Sequence, residues 1–188
     1  MSLHHSGLHH NAGLAPASLT SATVFGLAEQ LGPALQEQGW YLSTAESCTG
    51  GLLAGAVTSA PGSSGWFDRG FITYSNQAKV DELQVSADTL NHFGAVSEEV
   101  ALEMAQGVLL ASPASHLAIA TTGIAGPGGA TAGKPVGMVC FGFARRTKAG
   151  INSRAVTHVF TGDRAQVRLS AVEFALRGIL ELVPVSQR

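Results

Sequence analysis

Strand-like apolar segments alternate with segments of helical periodicity along most of this chain, and this alternation restricts the possible folds more than any other feature. Val24, Leu27, Leu31 and Leu35 illustrate the helical pattern, because they recur at helical spacing before Gly39, a natural helix stop. Interleaved helices and strands indicate an α/β layered sandwich, in which helices cover a central sheet. Two late strand patterns follow each other without a helix between them, so the sequence predicts a mixed sheet.

The predicted elements cover the chain from residue 20 to residue 182. Pro33 is expected to kink or split the first helix, and Ser97 and Asp163 are expected to cap two later helices. A Gly/Pro-rich loop over residues 123–135 is too long for a simple connector. Helices are predicted over residues 20–38, 49–59, 76–83, 87–93, 97–111 and 163–182, and strands over residues 40–45, 66–74, 116–121, 136–145 and 154–160.

Length and composition limit the classes of function. A chain of 188 residues, 45% of them hydrophobic, fits one domain with a substantial core. The formal net charge of −2 and the lack of a basic run argue against a nucleic-acid surface, and no apolar run has the length of a membrane span. Cys48 and Cys140 belong to no C-x-x-C pair, which excludes a disulfide framework or zinc site of that type. We expect a reducing, cytoplasmic location.

The first residues of the chain differ in character from the rest. They contain His4, His5, His9 and His10 but lack the basic and apolar regions of a secretory signal. We expect residues 1–18 to be a disordered His-rich tail or tag remnant, and residues 19–188 to form the folded domain.

A candidate nucleophile, Ser47, lies where a predicted strand passes into a predicted helix. The N-terminus of a helix offers unpaired N–H groups and a partial positive charge, which can stabilise an oxyanion. A plain helix cap by Ser47 or Thr49 explains the same residues and is the more common case. Cys48 is a rival nucleophile if a histidine activates it, although a small, buried apolar role is more usual for such a cysteine.

Lys79 is the candidate base for such a serine. It is one of only three lysines, and it follows the apolar strand pattern and the polar segment around Tyr74. A partly buried lysine with a lowered pKa can accept a serine proton, as in Ser–Lys variants of the catalytic triad. No histidine has a motif-like context, which favours the lysine. The alternative is an ordinary solvated lysine on the surface.

The Gly-rich loop and the last helix provide candidate anion sites. Residues 128–134 fit part of a P-loop, but Pro135 replaces the required Ser or Thr and a strand follows, so an NTPase is rejected. The loop can still hold a phosphate or oxyanion through backbone N–H groups, or it is merely structural. Arg164 and Arg168 share a helix face and can clamp an anion or form surface ion pairs. Neither histidine spacing nor carboxylate clustering indicates a metal site.

Six ordered blocks of sequence together resemble the CinA C-terminal domain family, known as nicotinamide-nucleotide amidases. The resemblance covers roughly residues 20–182, and six blocks in order are far more specific than any one of them. The matching blocks are residues 44–51, 70–79, 94–98, 122–129, 134–137 and 160–164.

The resemblance implies a three-layer α/β/α sandwich that forms a homo-oligomer and binds a small pyridine nucleotide. It implies hydrolysis of nicotinamide mononucleotide to nicotinic acid mononucleotide and ammonia, without metal or cofactor. Ser47 matches the family serine, Lys79 the family lysine, and Tyr74 and Thr122 match positions near the site. The implied acyl-enzyme mechanism uses N–H groups near residues 48–51, or of the Gly123 loop, as oxyanion donors. The residues expected to bind substrate are Thr49, Gly50, Gly51, Gly123, Gly126 and Arg164.

Two other functions remain open at this point. A non-catalytic nucleotide-binding module would use the Gly-rich loops for phosphate, with Ser47 only as a cap. An amidase based on Cys48 would use the thiol in place of the serine. Both explain less than the serine amidase, because neither accounts for Lys79 and the tyrosine segment beside it.

Overall fold

The computed structural model describes residues 21–184, so the tail expected at residues 1–18 lies outside the described residues. Within this range there are six α-helices, five strands and a short 3₁₀ turn at Ser63–Gly65. The helices are α1 (Ser21–Gln38), α2 (Leu52–Thr58), α3 (Asn76–Leu83), α4 (Ala87–Phe93), α5 (Glu98–Ala111) and α6 (Arg164–Leu180). The strands are β1 (Leu42–Glu46), β2 (Phe67–Ile72), β3 (Leu117–Gly123), β4 (Met138–Thr147) and β5 (Gly150–Val159).

The five strands form one sheet in the order β2-β1-β3-β4-β5. Strand β1 pairs in parallel with β2 on one side and with β3 on the other, whereas β4 and β5 complete the sheet as antiparallel neighbours. The predicted mixed sheet is therefore confirmed. Because β1, β2 and β3 are parallel, the segments that follow them emerge at the same edge of the sheet.

Helices cover both faces of the sheet, which confirms the three-layer α/β/α sandwich. Buried residues of α1, α2 and α6 pack with Leu117, Phe141 and Phe143 on one face. Buried residues of α3, α4 and α5 pack with Ala118 and Ala120 on the other. Alternate side chains of a strand point to opposite faces, so each central strand contributes to both cores.

Helix α5 lies very close to the sheet because the strand residues beneath it are small. Gly142 faces this helix, and a Cβ at that position would overlap the carbonyl group of Ala101 in α5. The opposite face instead carries Phe141 and Phe143, which belong to the core shared with α1, α2 and α6.

Most predicted elements exist, with shifted ends. Helix α1 continues past Pro33 to Gln38 and is not split. Strand β5 begins at Gly150, before the predicted residue 154, because a tight turn joins it to β4. The Thr147 hydroxyl group donates a hydrogen bond to the Gly150 carbonyl (2.9 Å) in that turn. No helix in residues 21–184 is long and apolar enough to cross a membrane.

Candidate active site

The carboxyl ends of the three parallel strands bring the predicted site residues together. Ser47 follows β1, Tyr74 follows β2, and Thr122 is the second-to-last residue of β3. Because β1 lies between β2 and β3, Ser47 is at the centre of this edge. The Ser47 backbone N–H donates a hydrogen bond to the Thr121 carbonyl (2.9 Å), which extends the β1–β3 pairing to the serine.

Lys79 and Ser47 are in direct contact, although 32 positions separate them in the sequence. The Lys79 Nζ atom lies 3.1 Å from the Ser47 Oγ atom. It also donates to the Thr73 carbonyl at 2.8 Å and to the Tyr74 carbonyl at 3.4 Å. The Lys79 side chain is fully buried, whereas Ser47 is partly accessible. The alternative of a solvated surface lysine is therefore wrong.

Burial lowers the pKa of Lys79 to about 8, and it outweighs an opposing effect of Cys48 that favours the charged form. Lys79 forms no ion pair with a carboxylate among residues 21–184. Desolvation without a compensating charge disfavours an ammonium group. About a tenth of the molecules hold this amine in its neutral form near pH 7, since that pH lies about one unit below the pKa.

The turn after Ser47 is organised by Glu46, which sequence reasoning did not single out. The buried Glu46 carboxylate accepts hydrogen bonds from the N–H groups of Gly51 (2.9 Å), Leu53 (3.0 Å) and Ala54 (2.7 Å). A carboxylate at this position satisfies orphan donors of the first helical turn and complements the helix dipole. The one signal in the sequence was an acid that ends an otherwise uncharged buried strand.

The prediction that Ser47 or Thr49 caps the helix is wrong. Helix α2 begins at Leu52, with Gly51 as the N-cap residue and no capping bond from its side chain. The Thr49 hydroxyl group instead pairs with that of Thr121 at 2.7 Å, and the Ser47 hydroxyl contacts Lys79. Left-handed backbone at Gly50 (φ 54°) and Gly51 (φ 97°) delays the start of the helix.

The expectation that N–H groups near residues 48–51 hold an oxyanion stays a prediction, and two of these groups are already hydrogen-bonded within the turn. The Gly50 N–H is bonded to the Ser47 carbonyl (3.1 Å), and the Gly51 N–H to Glu46. The N–H groups of Cys48 and Thr49 donate to no backbone carbonyl within residues 21–184. They adjoin the Ser47 hydroxyl group along the chain and can donate to a developing oxyanion.

Cys48 lacks the features of an activated nucleophile. The side chain is 5% exposed, and burial raises the pKa of its thiol to about 12. The thiolate is the reactive form of cysteine. Neither His92, His116 nor His158 is hydrogen-bonded to Cys48. The geometry therefore gives no support to the Cys48-based amidase.

Arg164 and Tyr74 form the rim of the site. The Arg164 guanidinium donates to the Gly126 carbonyl (2.9 Å) and to the Tyr74 hydroxyl oxygen (3.3 Å). The Tyr74 side chain is 61% exposed, and Arg164 is also exposed. A cation in this position is accessible to an anionic part of a ligand that reaches Ser47.

Thr122, Gly123 and Gly126 lie deeper in the structure. The buried Thr122 hydroxyl group donates to the Ala95 carbonyl at 2.7 Å. Gly123 is still part of β3, and a Cβ there would overlap the Met138 carbonyl of β4. Gly126 is buried in left-handed backbone (φ 85°) against Val136. Close packing explains these two glycines, and their contact with substrate stays a prediction.

Arg168 contacts the backbone of the turn that follows Ser47. Its guanidinium donates to the carbonyl groups of Cys48 (3.1 Å) and Thr49 (2.9 Å). The surface ion pair on helix α6 joins Arg177 and Glu173 (2.6 Å) and involves neither Arg164 nor Arg168. Within residues 21–184, no three His, Cys, Asp or Glu side chains are grouped to hold a metal ion.

Comparison with known protein families gives a match over almost all of the described residues. The family model of the CinA C-terminal domain matches residues 25–183. The chain belongs to the CinA C-terminal domain family. The resemblance seen in the six sequence blocks is thereby confirmed.

Individual relatives support the same assignment. Over 156 residues the chain is 53% identical to the nicotinamide-nucleotide amidohydrolase PncC of Enterobacter agglomerans, covering 82% of this chain and 92% of that protein. A CinA-like protein of Chloroherpeton thalassium is 49% identical over 168 residues, which is 89% of this chain and 40% of that longer protein. The crystal structure of the competence/damage inducible protein CihA from Agrobacterium tumefaciens gives a TM-score of 0.80 at 45% identity, covering 85% and 95% of the two chains.

Proposed function

We propose that this chain hydrolyses the carboxamide of nicotinamide mononucleotide to nicotinic acid mononucleotide and ammonia. The observation that carries the proposal is the 3.1 Å contact between the Lys79 amine and the Ser47 hydroxyl group. A relative that shares 53% of the aligned residues is named for amidohydrolysis of a nicotinamide nucleotide. A buried lysine without a carboxylate partner is costly to a fold, and a base for Ser47 is a role that explains it.

In the proposed acylation step, neutral Lys79 accepts the hydroxyl proton while the Ser47 oxygen attacks the carboxamide carbon. The carbonyl oxygen becomes an oxyanion, and the N–H groups of Cys48 and Thr49 donate to it. Collapse of the tetrahedral intermediate breaks the carbon–nitrogen bond, and Lys79 returns its proton to the departing ammonia. Such an oxyanion site contributes about 3–4 kcal/mol to lowering the barrier.

Deacylation repeats the same steps with water as the nucleophile. Lys79 accepts a proton from water, and the resulting hydroxide attacks the Ser47 ester. The ester bond breaks, Lys79 returns its proton to the Ser47 oxygen, and the product leaves as a carboxylate after its new acid group releases the remaining proton to solvent. The cycle needs neither a redox partner nor a cofactor, and we propose that it proceeds without metal.

The rim explains why the substrate would be a nucleotide. Arg164 presents an exposed guanidinium beside Tyr74, suited to a 5′-phosphate. Because the Thr122 hydroxyl proton is engaged by Ala95, Thr122 would shape the pocket or accept a hydrogen bond from the carboxamide. Thr49, Gly50 and Gly51 would approach the pyridine side through their backbone.

The test is product formation from nicotinamide mononucleotide by the full chain, with and without chelator. We expect ammonia and nicotinic acid mononucleotide in equal amounts, with a rate that chelator does not change. Nicotinamide riboside, which lacks the phosphate, should show a higher KM. A folded protein that binds nicotinamide mononucleotide in calorimetry but does not hydrolyse it would favour the non-catalytic binding module.

A further inference from the structure

Arg168 makes two hydrogen bonds that no surface role explains. It lies in the second turn of α6, and its Nε and Nη2 atoms donate to the carbonyls of Cys48 (3.1 Å) and Thr49 (2.9 Å). No carboxylate among the described residues forms an ion pair with it. The half-buried guanidinium of Arg168 thus hydrogen-bonds to the backbone of the two residues that follow Ser47.

The planarity of the peptide bond links these carbonyls to the oxyanion donors. The Cys48 carbonyl and the Thr49 N–H belong to one trans peptide unit and point in opposite directions. Fixing the carbonyl toward α6 therefore fixes the N–H away from it. The Ser47 carbonyl accepts from Gly50 (3.1 Å), which in the same way fixes the direction of the Cys48 N–H.

The turn needs such an anchor because of its composition. Gly50 and Gly51 both adopt left-handed backbone, and glycine is the residue least restricted in φ and ψ. Glu46 holds the turn at the Gly51 N–H, whereas Arg168 holds its middle. The planar fork of arginine donates to two neighbouring oxygens at once, which a lysine ammonium group does less well.

We propose that Arg168 is a positioning residue for this site, which orients the Thr49 N–H toward the oxyanion by holding the carbonyls of Cys48 and Thr49. The inference rests on the proposed serine mechanism. Among the described residues Arg168 makes no hydrogen bond to Ser47, and it acts through the peptide unit that it holds.

The first test compares the kinetics of Arg168→Ala and Arg168→Lys with wild type. We expect kcat to fall about 100-fold in Arg168→Ala, because misplacing a catalytic group by an ångström costs about that much. KM should change by less than about twofold, since the interaction is used in the transition state. Guanidinium ion at low millimolar concentration should restore part of the lost rate, and Arg168→Lys should lose less than Arg168→Ala.

Arg177→Ala is the matched control, because Arg177 lies on the same helix and its side chain pairs, among the described residues, with Glu173 alone. It should keep wild-type kcat and KM. Wild-type kcat in folded Arg168→Ala would overturn the proposal, as would a loss confined to KM. A loss that neither guanidinium nor lysine relieves would also overturn it, because it would indicate general destabilisation.

A second readout does not depend on turnover. The ¹H–¹⁵N NMR signal of the Thr49 amide should shift or broaden in Arg168→Ala and return on addition of guanidinium, while Arg177→Ala leaves it unchanged. An unchanged Thr49 signal in Arg168→Ala would overturn the positioning role even if the protein hydrolyses no nicotinamide mononucleotide. Absence of turnover in the wild type would contradict the proposed function alone.

Discussion

At the scale of single residues, Lys79 lies in an environment that disfavours its charged form. It is fully buried, donates to two carbonyls and a hydroxyl group, and meets no carboxylate. Its pKa of about 8, lowered by burial, keeps an accessible neutral form near neutral pH. The same desolvation that makes Lys79 a usable base also opposes folding with the lysine charged.

The rate of hydrolysis should therefore rise with pH. Only neutral Lys79 accepts the Ser47 proton, so kcat/KM should increase toward alkaline pH and level off above about 8, the lowered pKa. The measurement is kcat/KM for nicotinamide mononucleotide across that range. A rate that is unchanged or falls as pH rises through 8 would contradict a lysine base with this pKa.

Lys79→Met should be more stable than wild type at neutral pH. Burial holds the pKa at about 8 in the folded chain against 10.5 as the ordinary value, so the unfolded chain binds more protons between these values. Burying Lys79 therefore lowers the free energy of unfolding of the wild type most below about pH 8, and this cost disappears as the pH rises to 10.5. The gain from methionine, on the order of 1–3 kcal/mol, should thus be present at pH 7 and vanish by pH 10.5. Denaturant unfolding at both pH values checks this, and a gain that grows with pH would contradict it.

At the scale of elements, the start of α2 determines where the nucleophile lies. Two left-handed glycines and the Glu46 carboxylate move the first helical residue to Leu52, three positions after the predicted start. The small apolar residues of this segment predicted helix α2. The sequence pattern missed the start because the capping group lies on the preceding strand, outside the local signals of a helix N-terminus.

Replacing Glu46 with Gln should destabilise α2 and slow the reaction. The two carboxylate oxygens accept three N–H groups, and an amide would direct NH₂ donors at one or more of them. We expect a loss of about 1–3 kcal/mol in the free energy of unfolding. Glu29→Gln, at an exposed position of α1, is the matched control. Equal stability of the two variants in denaturant unfolding would show that the carboxylate is not required.

At the scale of the whole molecule, the parallel order β2-β1-β3 creates the site. The sequence predicted the strands and a mixed sheet, because periodicity and interruptions are local. It could not establish that Lys79 meets Ser47 or that Arg168 reaches Cys48 and Thr49, because these contacts depend on how helices cross the sheet. The sequence pattern did not predict the order of the strands in the sheet. The assignment of Ser47 and Lys79 to one site therefore came from the family resemblance.

The homo-oligomer implied by the family resemblance stays a prediction. Large apolar side chains are exposed near the site, among them Leu52 (42%), Ile72 (45%) and Tyr74 (61%), and burial of such groups is a common driving force for association. Sedimentation analysis should give a mass at least twice the 19.3 kDa of one chain. A single species of 19.3 kDa at working concentration would contradict the prediction. The cytoplasmic location also stays a prediction.

The central claim is that Ser47 attacks the carboxamide and Lys79 activates it. Its most direct test is the rate of ammonia release from nicotinamide mononucleotide by Ser47→Ala and Lys79→Met, with Cys48→Ala as the control. We predict losses of at least about 1000-fold in the first two variants, as expected when a nucleophile or its base is removed. Cys48→Ala should keep most of the activity. Full activity in folded Ser47→Ala, or loss only in Cys48→Ala, would contradict the account.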